Sequence, residues 1–166
     1  RPASVHPDLR AAPEGGLSAA LKPAPPVIFV CGRNAVRSPM AEALWRAAFG
    51  PNAEAASCGV SPAGYADGFM VTVMEEAGFD LSDYEPRDMR AMETISADLV
   101  VCLAPEAHEA AARIASDHGA ALQLWPAPDP AETTGGREAK LAAYRQAREA
   151  IAARIARFGR ESGYLS

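Results

Sequence analysis

Cys31 and Arg37 are separated by five residues, and Ser38 and Pro39 follow directly. A loop of that length curls into a cup with the sulfur at its base and the guanidinium on its rim. Successive backbone N–H groups in such a curl point inward, and a helix starting at its end adds the positive pole of its dipole. The cup therefore suits a tetrahedral oxyanion. Its field also favours the thiolate of Cys31, which is the nucleophilic form. Arg37 can hold two equatorial oxygens bidentately, as a lysine cannot. Ser38 is placed to donate a hydroxyl hydrogen bond to the sulfur and to cap the helix. Pro39 fits the first helical turn, where its missing N–H costs little. A lone cysteine at the end of an apolar run reads as core packing. Arginine, serine and proline at these offsets turn that reading toward chemistry.

A thiolate that displaces an alkoxide or phenoxide from phosphorus needs a proton donor for the leaving oxygen. Asp129 is the candidate, in Trp125-Pro126-Ala127-Pro128-Asp129-Pro130, a loop stiffened by its prolines. An Asp-Pro pair is also a common turn. Its place after the last expected strand, in a sheet that opens with the cysteine loop, favours catalysis, with Asp117 and Glu132 as rivals.

Strands and helices must bring these groups together. Val27-Ile28-Phe29-Val30 is a β-branched and aromatic run that ends on Cys31, and a helix restarts at Ser38-Pro39. Met40, Leu44 and Ala47 to Ala48 recur at helical spacing until Gly50-Pro51. Residues 53–58 form a weak strand. Asp67 caps a second helix whose apolar face is Met70, Val73, Met74 and Ala77, ended by Gly78. Residues 98–103 are near-continuously apolar, as a strand covered on both faces should be. Residues 105–118 follow as a helix ended by Gly119, 120–125 as the last strand, and 137–158 as a long helix burying Leu141, Tyr144, Ile151, Ile155 and Phe158. Four alternations of strand and helix imply a parallel sheet wrapped by helices, with right-handed crossovers. Ligands of such sheets bind beyond the carboxyl ends of the strands. Cys31, Cys58, Cys102 and the segment after Trp125 should share that edge.

Composition narrows the field. The chain has 166 residues, 49% of them hydrophobic, which suits one domain with a core sufficient to fold unaided. A net charge of −5 leaves no basic stripe for nucleic acid, so positive potential must be local to the loop. Three scattered cysteines form no disulfide framework and no zinc pattern, so no metal or cofactor is expected. With no signal-like or membrane-length apolar run, the expected compartment is a reducing cytoplasm, with no membrane partner. Residues 1–26 carry six prolines and no lasting apolar period, and read as a mobile arm or linker ahead of a domain over 27–166. His6, His108 and His118 read as solvent-facing.

The run Val-Ile-Phe-Val-Cys, five residues, then Arg-Ser-Pro-Met-Ala-Glu-Ala, resembles the phosphate loop of the low-molecular-weight protein tyrosine phosphatases, whose fold and loop the thioredoxin-coupled arsenate reductases share. The likeness spans Val27 to about Phe158. It implies a three-layer α/β fold, a doubly wound four-stranded parallel sheet in the order 2-1-3-4 with helices on both faces. It also implies a metal-independent phosphomonoester hydrolase working through a phosphocysteine, with Cys31 as nucleophile, Arg37 as phosphate clamp and Asp129 as general acid. The substrates would be phosphorylated proteins or small phosphoesters, with phosphate, sulfate or vanadate as ligands or inhibitors. Gly32, Arg33, Asn34, Ala35, Val36, Arg37 and Ser38 would hold phosphate, and Asn34, Ser38 and Ser57 would brace the loop.

This chain departs from the family pattern in places. Gly32 and Arg33 replace the usual order, in which glycine comes second after the nucleophile. Arg33 either adds a second positive group for the substrate or points outward as a solvated charge. Val36 stands where many members have a second cysteine, leaving Cys58 and Cys102 as redox partners or as core. Tyr84 stands in for a supporting histidine of the family pattern. Ala131 follows the Asp-Pro where an aromatic wall is usual, and Tyr65 is either the opposite wall or a half-buried loop residue. Two other readings stand beside phosphatase. An arsenate reductase needs resolving cysteines after the third strand, and residues 105–114 have none. A non-catalytic phosphate-binding domain would not need Cys31, Arg37 and Asp129 together.

Overall fold

The computed structural model describes residues 21–166, so residues 1–20 of the expected arm lie outside the described residues. Residues 21 and 22 lie against the last residues: the Leu21 N–H donates to the Tyr164 carbonyl at 2.8 Å, and Lys22 sits over the Tyr164 ring, while the Pro26 carbonyl accepts from the Asp98 N–H at 2.9 Å.

Four parallel strands form one sheet in the order β2-β1-β3-β4. They are β1 (Val27–Cys31), β2 (Ala55–Gly59), β3 (Leu99–Cys102) and β4 (Ala121–Leu124). The central strands β1 and β3 are buried at every position, which is why their sequences are apolar runs and not alternating patterns. Among the described residues four α-helices accompany them: α1 (Arg37–Phe49), α2 (Gly68–Glu76), α3 (His108–His118) and α4 (Arg137–Glu161). The chain leaves β1 in one direction to reach β2 and in the other to reach β3 and β4. With right-handed crossovers, α1 and α3 fall on opposite faces of the sheet. The expected three-layer arrangement and strand order are the ones observed.

On the α1 side, α4 packs against α1. The core there is aromatic: the Phe29 and Trp45 rings lie 5.7 Å apart edge-on, Trp45 meets Phe49 at 4.5 Å, and Phe158 lies 5.6 Å from both Trp45 and Trp125. Such contacts add about 0.5–1.5 kcal/mol each beyond the area they bury. All five expected core residues of α4 are buried. Asp67 caps α2 as expected, its Oδ1 accepting from the Phe69 and Met70 N–H groups.

Several boundaries differ from expectation. α1 starts at Arg37, with Val36 at its N-cap and no side-chain cap. Ser38 therefore lies inside the first turn and does not cap the helix, because its hydroxyl is engaged by the sulfur and by Asn34. The helix expected from Pro105 begins as a 3-10 turn, Pro105–Ala107, before α3 takes over. A 3-10 helix, Met89–Thr94, carries no apolar period that would announce it. His118 is not solvent-facing: its Nδ1 lies 2.8 Å from the Ile114 carbonyl and its Nε2 2.9 Å from the Met92 carbonyl.

Strand register lines up the site. Cys31 pairs with Gly59, Val30 with Cys102, and Cys102 with Leu124, so the loops that follow all four strands emerge at one edge. The order reverses at β1, and the cysteine loop rises from that switch point.

Candidate active site

Cys31 ends β1 with 2% of its surface exposed. Its sulfur receives the Asn34 backbone N–H at 3.3 Å and lies 2.9 Å from Ser38 Oγ. Ser38 Oγ already accepts from Asn34 Nδ2 at 2.7 Å, which leaves the hydroxyl proton to point at the sulfur. Two donors thus converge on the atom that must carry negative charge.

Asn34 holds the curl. It is the one non-glycine residue with positive φ among the described residues, at 53°, a conformation asparagine tolerates better than most. Its side chain uses its full capacity. Nδ2 donates to Ser38 and, at 3.0 Å, to Ser57 Oγ, while Oδ1 accepts from the Arg87 N–H at 2.7 Å and the Tyr84 hydroxyl at 2.8 Å. Arg33 keeps a negative φ, so the exchange of glycine for arginine leaves no strain there.

Behind Asn34 lies a second tier. Ser57 donates to Glu42 Oε1 at 2.8 Å, and the same carboxylate takes Arg87 at 3.2 Å and Arg46 at 3.0 Å. Tyr84 occupies the place expected for a histidine, with its hydroxyl 2.5 Å from Ser57 Oγ. Burial pushes its phenol up to about 12, so it stays protonated and neutral across physiological pH. Gly59 closes the arrangement by absence of a side chain. A Cβ there would stand 2.7 Å from both the Arg33 carbonyl carbon and the Asn34 nitrogen.

Arg37, 6% exposed, is the first residue of α1. Its Nη1 donates to the Ala127 carbonyl at 2.9 Å, while Nη2 lies 3.5 Å from Glu106 Oε2 and 3.8 Å from Asp129 Oδ2. Asp129 Oδ1 accepts from the Ala131 N–H at 3.0 Å, fixing the carboxylate at the start of the 3-10 turn Pro130–Glu132. Cys31, Arg37 and Asp129 line one cavity of about 240 Å³ with Arg33, Ala35, Val36, Tyr65 and Ala131. Asn34, Ser38 and Ser57 do not line it and are wholly buried behind it. Tyr65 borders the cavity at 80% exposure, so it is not the half-buried loop residue of the alternative expectation.

The other two thiols are quiet. Burial pushes Cys58 up to about 12, and burial also raises Cys102, which donates to the Ala104 carbonyl at 3.0 Å. Both belong to the core, and all three cysteines are free.

Four residues escaped the reading from sequence: Glu42, Gly59, Arg87 and Glu106. Glu42 stands one helical turn after Ser38, a spacing that could have drawn attention to it. Arg87 and Glu106 act across the fold and leave no local signal.

With this geometry established, comparison with known proteins is informative. The model of the family "Low molecular weight phosphotyrosine protein phosphatase" matches residues 26–158. The chain belongs to that family. It is 31% identical over 132 residues to a protein named arsenate reductase from Halalkalibacterium halodurans, covering 80% of this chain and 93% of that one. Among solved structures, the low-molecular-weight protein tyrosine phosphatase of T. tengcongensis superposes with a TM-score of 0.67 at 25% identity, covering 83% of this chain and 99% of that one. Wzb of Vibrio vulnificus, solved with benzylphosphonate, gives 0.61 at 25% identity over 79% and 97%. Membership supports a phosphatase enzyme, while the names of the relatives divide between two activities. No helix among the described residues is long and apolar enough to cross a membrane.

Proposed function

We propose that the protein is a metal-independent phosphomonoester hydrolase acting through a phosphocysteine, with protein phosphotyrosine as its leading substrate. The observation that carries this reading is the meeting of Cys31, Arg37 and Asp129 on one cavity, with two donors aimed at the sulfur. In the first step the Cys31 thiolate attacks phosphorus in line. A sulfur–phosphorus bond forms, the phosphorus–oxygen ester bond breaks, and Asp129 gives its proton to the leaving oxygen. In the second step the Asp129 carboxylate takes a proton from water, the resulting oxygen attacks phosphorus, and the thiolate leaves. Arg37 and the loop amides other than that of Asn34 hold the equatorial oxygens throughout, supplying the positive field that a metal ion supplies elsewhere. A reducing compartment such as the cytoplasm fits a mechanism that needs Cys31 reduced.

Hydrolysis of p-nitrophenyl phosphate in excess chelator tests the reading. We expect turnover, a loss of at least about 10³-fold for Cys31→Ser, and a loss of about 10²-fold in kcat for Asp129→Asn. Substantial turnover by Cys31→Ser would overturn the assignment.

Arsenate reduction is the competing activity, the one for which the curated relatives are named. Residues 103–114 hold no cysteine to resolve a Cys31–arsenic adduct, and Cys102 is buried in β3 with a raised pKa. Thiol-dependent arsenate reduction in place of phosphate release would reverse the order of the two.

A further inference from the structure

The phosphate cavity does not end at Tyr65. That ring and Asp67 also line an adjoining recess of about 490 Å³, completed by Gly68, Phe69, Thr72 and Arg137. Arg33 lies on the cavity side and Arg137 on the recess side. Both are exposed, and neither guanidinium forms a hydrogen bond or ion pair among the described residues. We propose that this continuous groove, lined by two arginines that no carboxylate of the described residues pairs, selects phosphorylated peptide segments that carry an acidic side chain beside the phosphorylated residue.

Three features make the groove receptive to anions. Both acids on its wall are engaged within the chain: Asp129 lies 3.8 Å from Arg37, while Asp67 Oδ1 caps α2 and its Oδ2 accepts from the Tyr144 hydroxyl at 2.7 Å. Arg137 is the first residue of α4, where the helix dipole disfavours a cation, and its guanidinium lies 5.8 Å from the centre of the Phe69 ring. A residue that opposes its local field and is paired with no carboxylate points to a partner outside the chain. The floor is also left low, since a Cβ on Gly64 or Gly68 would meet nothing within 4 Å. With a net charge of −5, the molecule offers an acidic segment few places to dock, and this groove is one where the local sign is reversed.

The proposal rests on the phosphatase reading, and the experiment separates them. Two phosphotyrosyl peptides of equal length, one flanked by glutamates and one by alanines, are turned over by the full chain and by Arg137→Glu, each rate referred to that for p-nitrophenyl phosphate. Exposed charge pairs of this kind support a preference of about 5-fold for the acidic peptide, carried by KM and shrinking as salt rises. Arg137→Glu should erase the preference while its melting temperature holds or rises, because the dipole conflict is removed. Calorimetry on Cys31→Ser, which need not turn anything over, should rank the two peptides in the same order. Equal kcat/KM for the two peptides, or a preference that survives Arg137→Glu, would overturn the proposal. Peptide ranking by Cys31→Ser without turnover by the parent would instead support the groove and overturn the phosphatase reading.

Discussion

The front and the back of the cysteine loop are built on opposite plans. The front is open: Arg33, Tyr65 and Ala131 line a cavity with exposed side chains. The back is closed and saturated. Asn34, Ser57, Glu42, Tyr84 and Arg87 exchange hydrogen bonds until every polar atom of the Asn34 side chain is used. A buried polar group left without its partner costs about 1–3 kcal/mol, whereas an exposed side chain facing a cavity is free to vary. Selectivity therefore belongs to the front, and the shape of the cup belongs to the back.

The sharpest way to break this contrast is at Gly59. A methyl group there meets loop backbone, which cannot swing aside as a side-chain tip can. Gly59→Ala should cost about 1–3 kcal/mol and lower kcat by about 10²-fold, since the curl must open to make room. Denaturant titration and p-nitrophenyl phosphate kinetics check both numbers. If Gly59→Ala is as active as the parent, the back does not shape the cup.

Removing one hydroxyl should do less. Tyr84→Phe takes a partner from Ser57 and Asn34 but leaves the Arg87 N–H and Ser38 in place, so a loss of about 1 kcal/mol and a several-fold fall in kcat are expected. With a neutral phenol in place of a titrating histidine, no inflection of kcat between pH 5 and 8 should arise from this residue.

Ala131→Tyr sharpens the contrast from the other side. Supplying an aromatic wall opposite Tyr65 should lower KM for aryl phosphates about 3- to 10-fold and leave stability within about 0.5 kcal/mol. A change confined to KM is the signature of the front.

The smallest effect expected lies away from both regions. Acceptance by the Ile114 carbonyl, helped by that of Met92, raises the His118 pKa. The charged ring donates to both carbonyls, so its contribution is complete below the ordinary histidine value and disappears as pH rises through the raised one. Comparing melting temperatures of the parent and His118→Ala from pH 5.5 to 8.5 should show a difference that narrows toward alkaline pH.

The sequence disclosed the fold and the front of the site because both rest on local signals. Apolar runs mark β1 and β3, Asp67 and Gly119 mark helix ends, and Cys31, Arg37 and Ser38 are neighbours in the chain. The back was legible only where the family resemblance named Asn34, Ser57 and a stand-in at Tyr84. Arg87 reaches Asn34 across 53 positions and Glu42 across 45, distances over which no periodicity operates. Gly59 lies just past the strand expected over 53–58 and carries no signal of its own, since only the folded approach of the loop explains why a side chain is forbidden there. Serine at a helix start commonly caps it, but the sulfur and Asn34 engage the Ser38 hydroxyl here, a pairing that only the folded loop brings about.

The central claim is that a sulfur–phosphorus bond forms on Cys31. Asp129→Asn, which should slow both steps, is mixed with an activated aryl phosphate, quenched in acid within one turnover, digested and weighed by mass spectrometry. The account predicts one phosphoryl group on the peptide that contains Cys31, and none in Cys31→Ser. Turnover with no phosphoryl group on that peptide, or with the group on another residue, would contradict it.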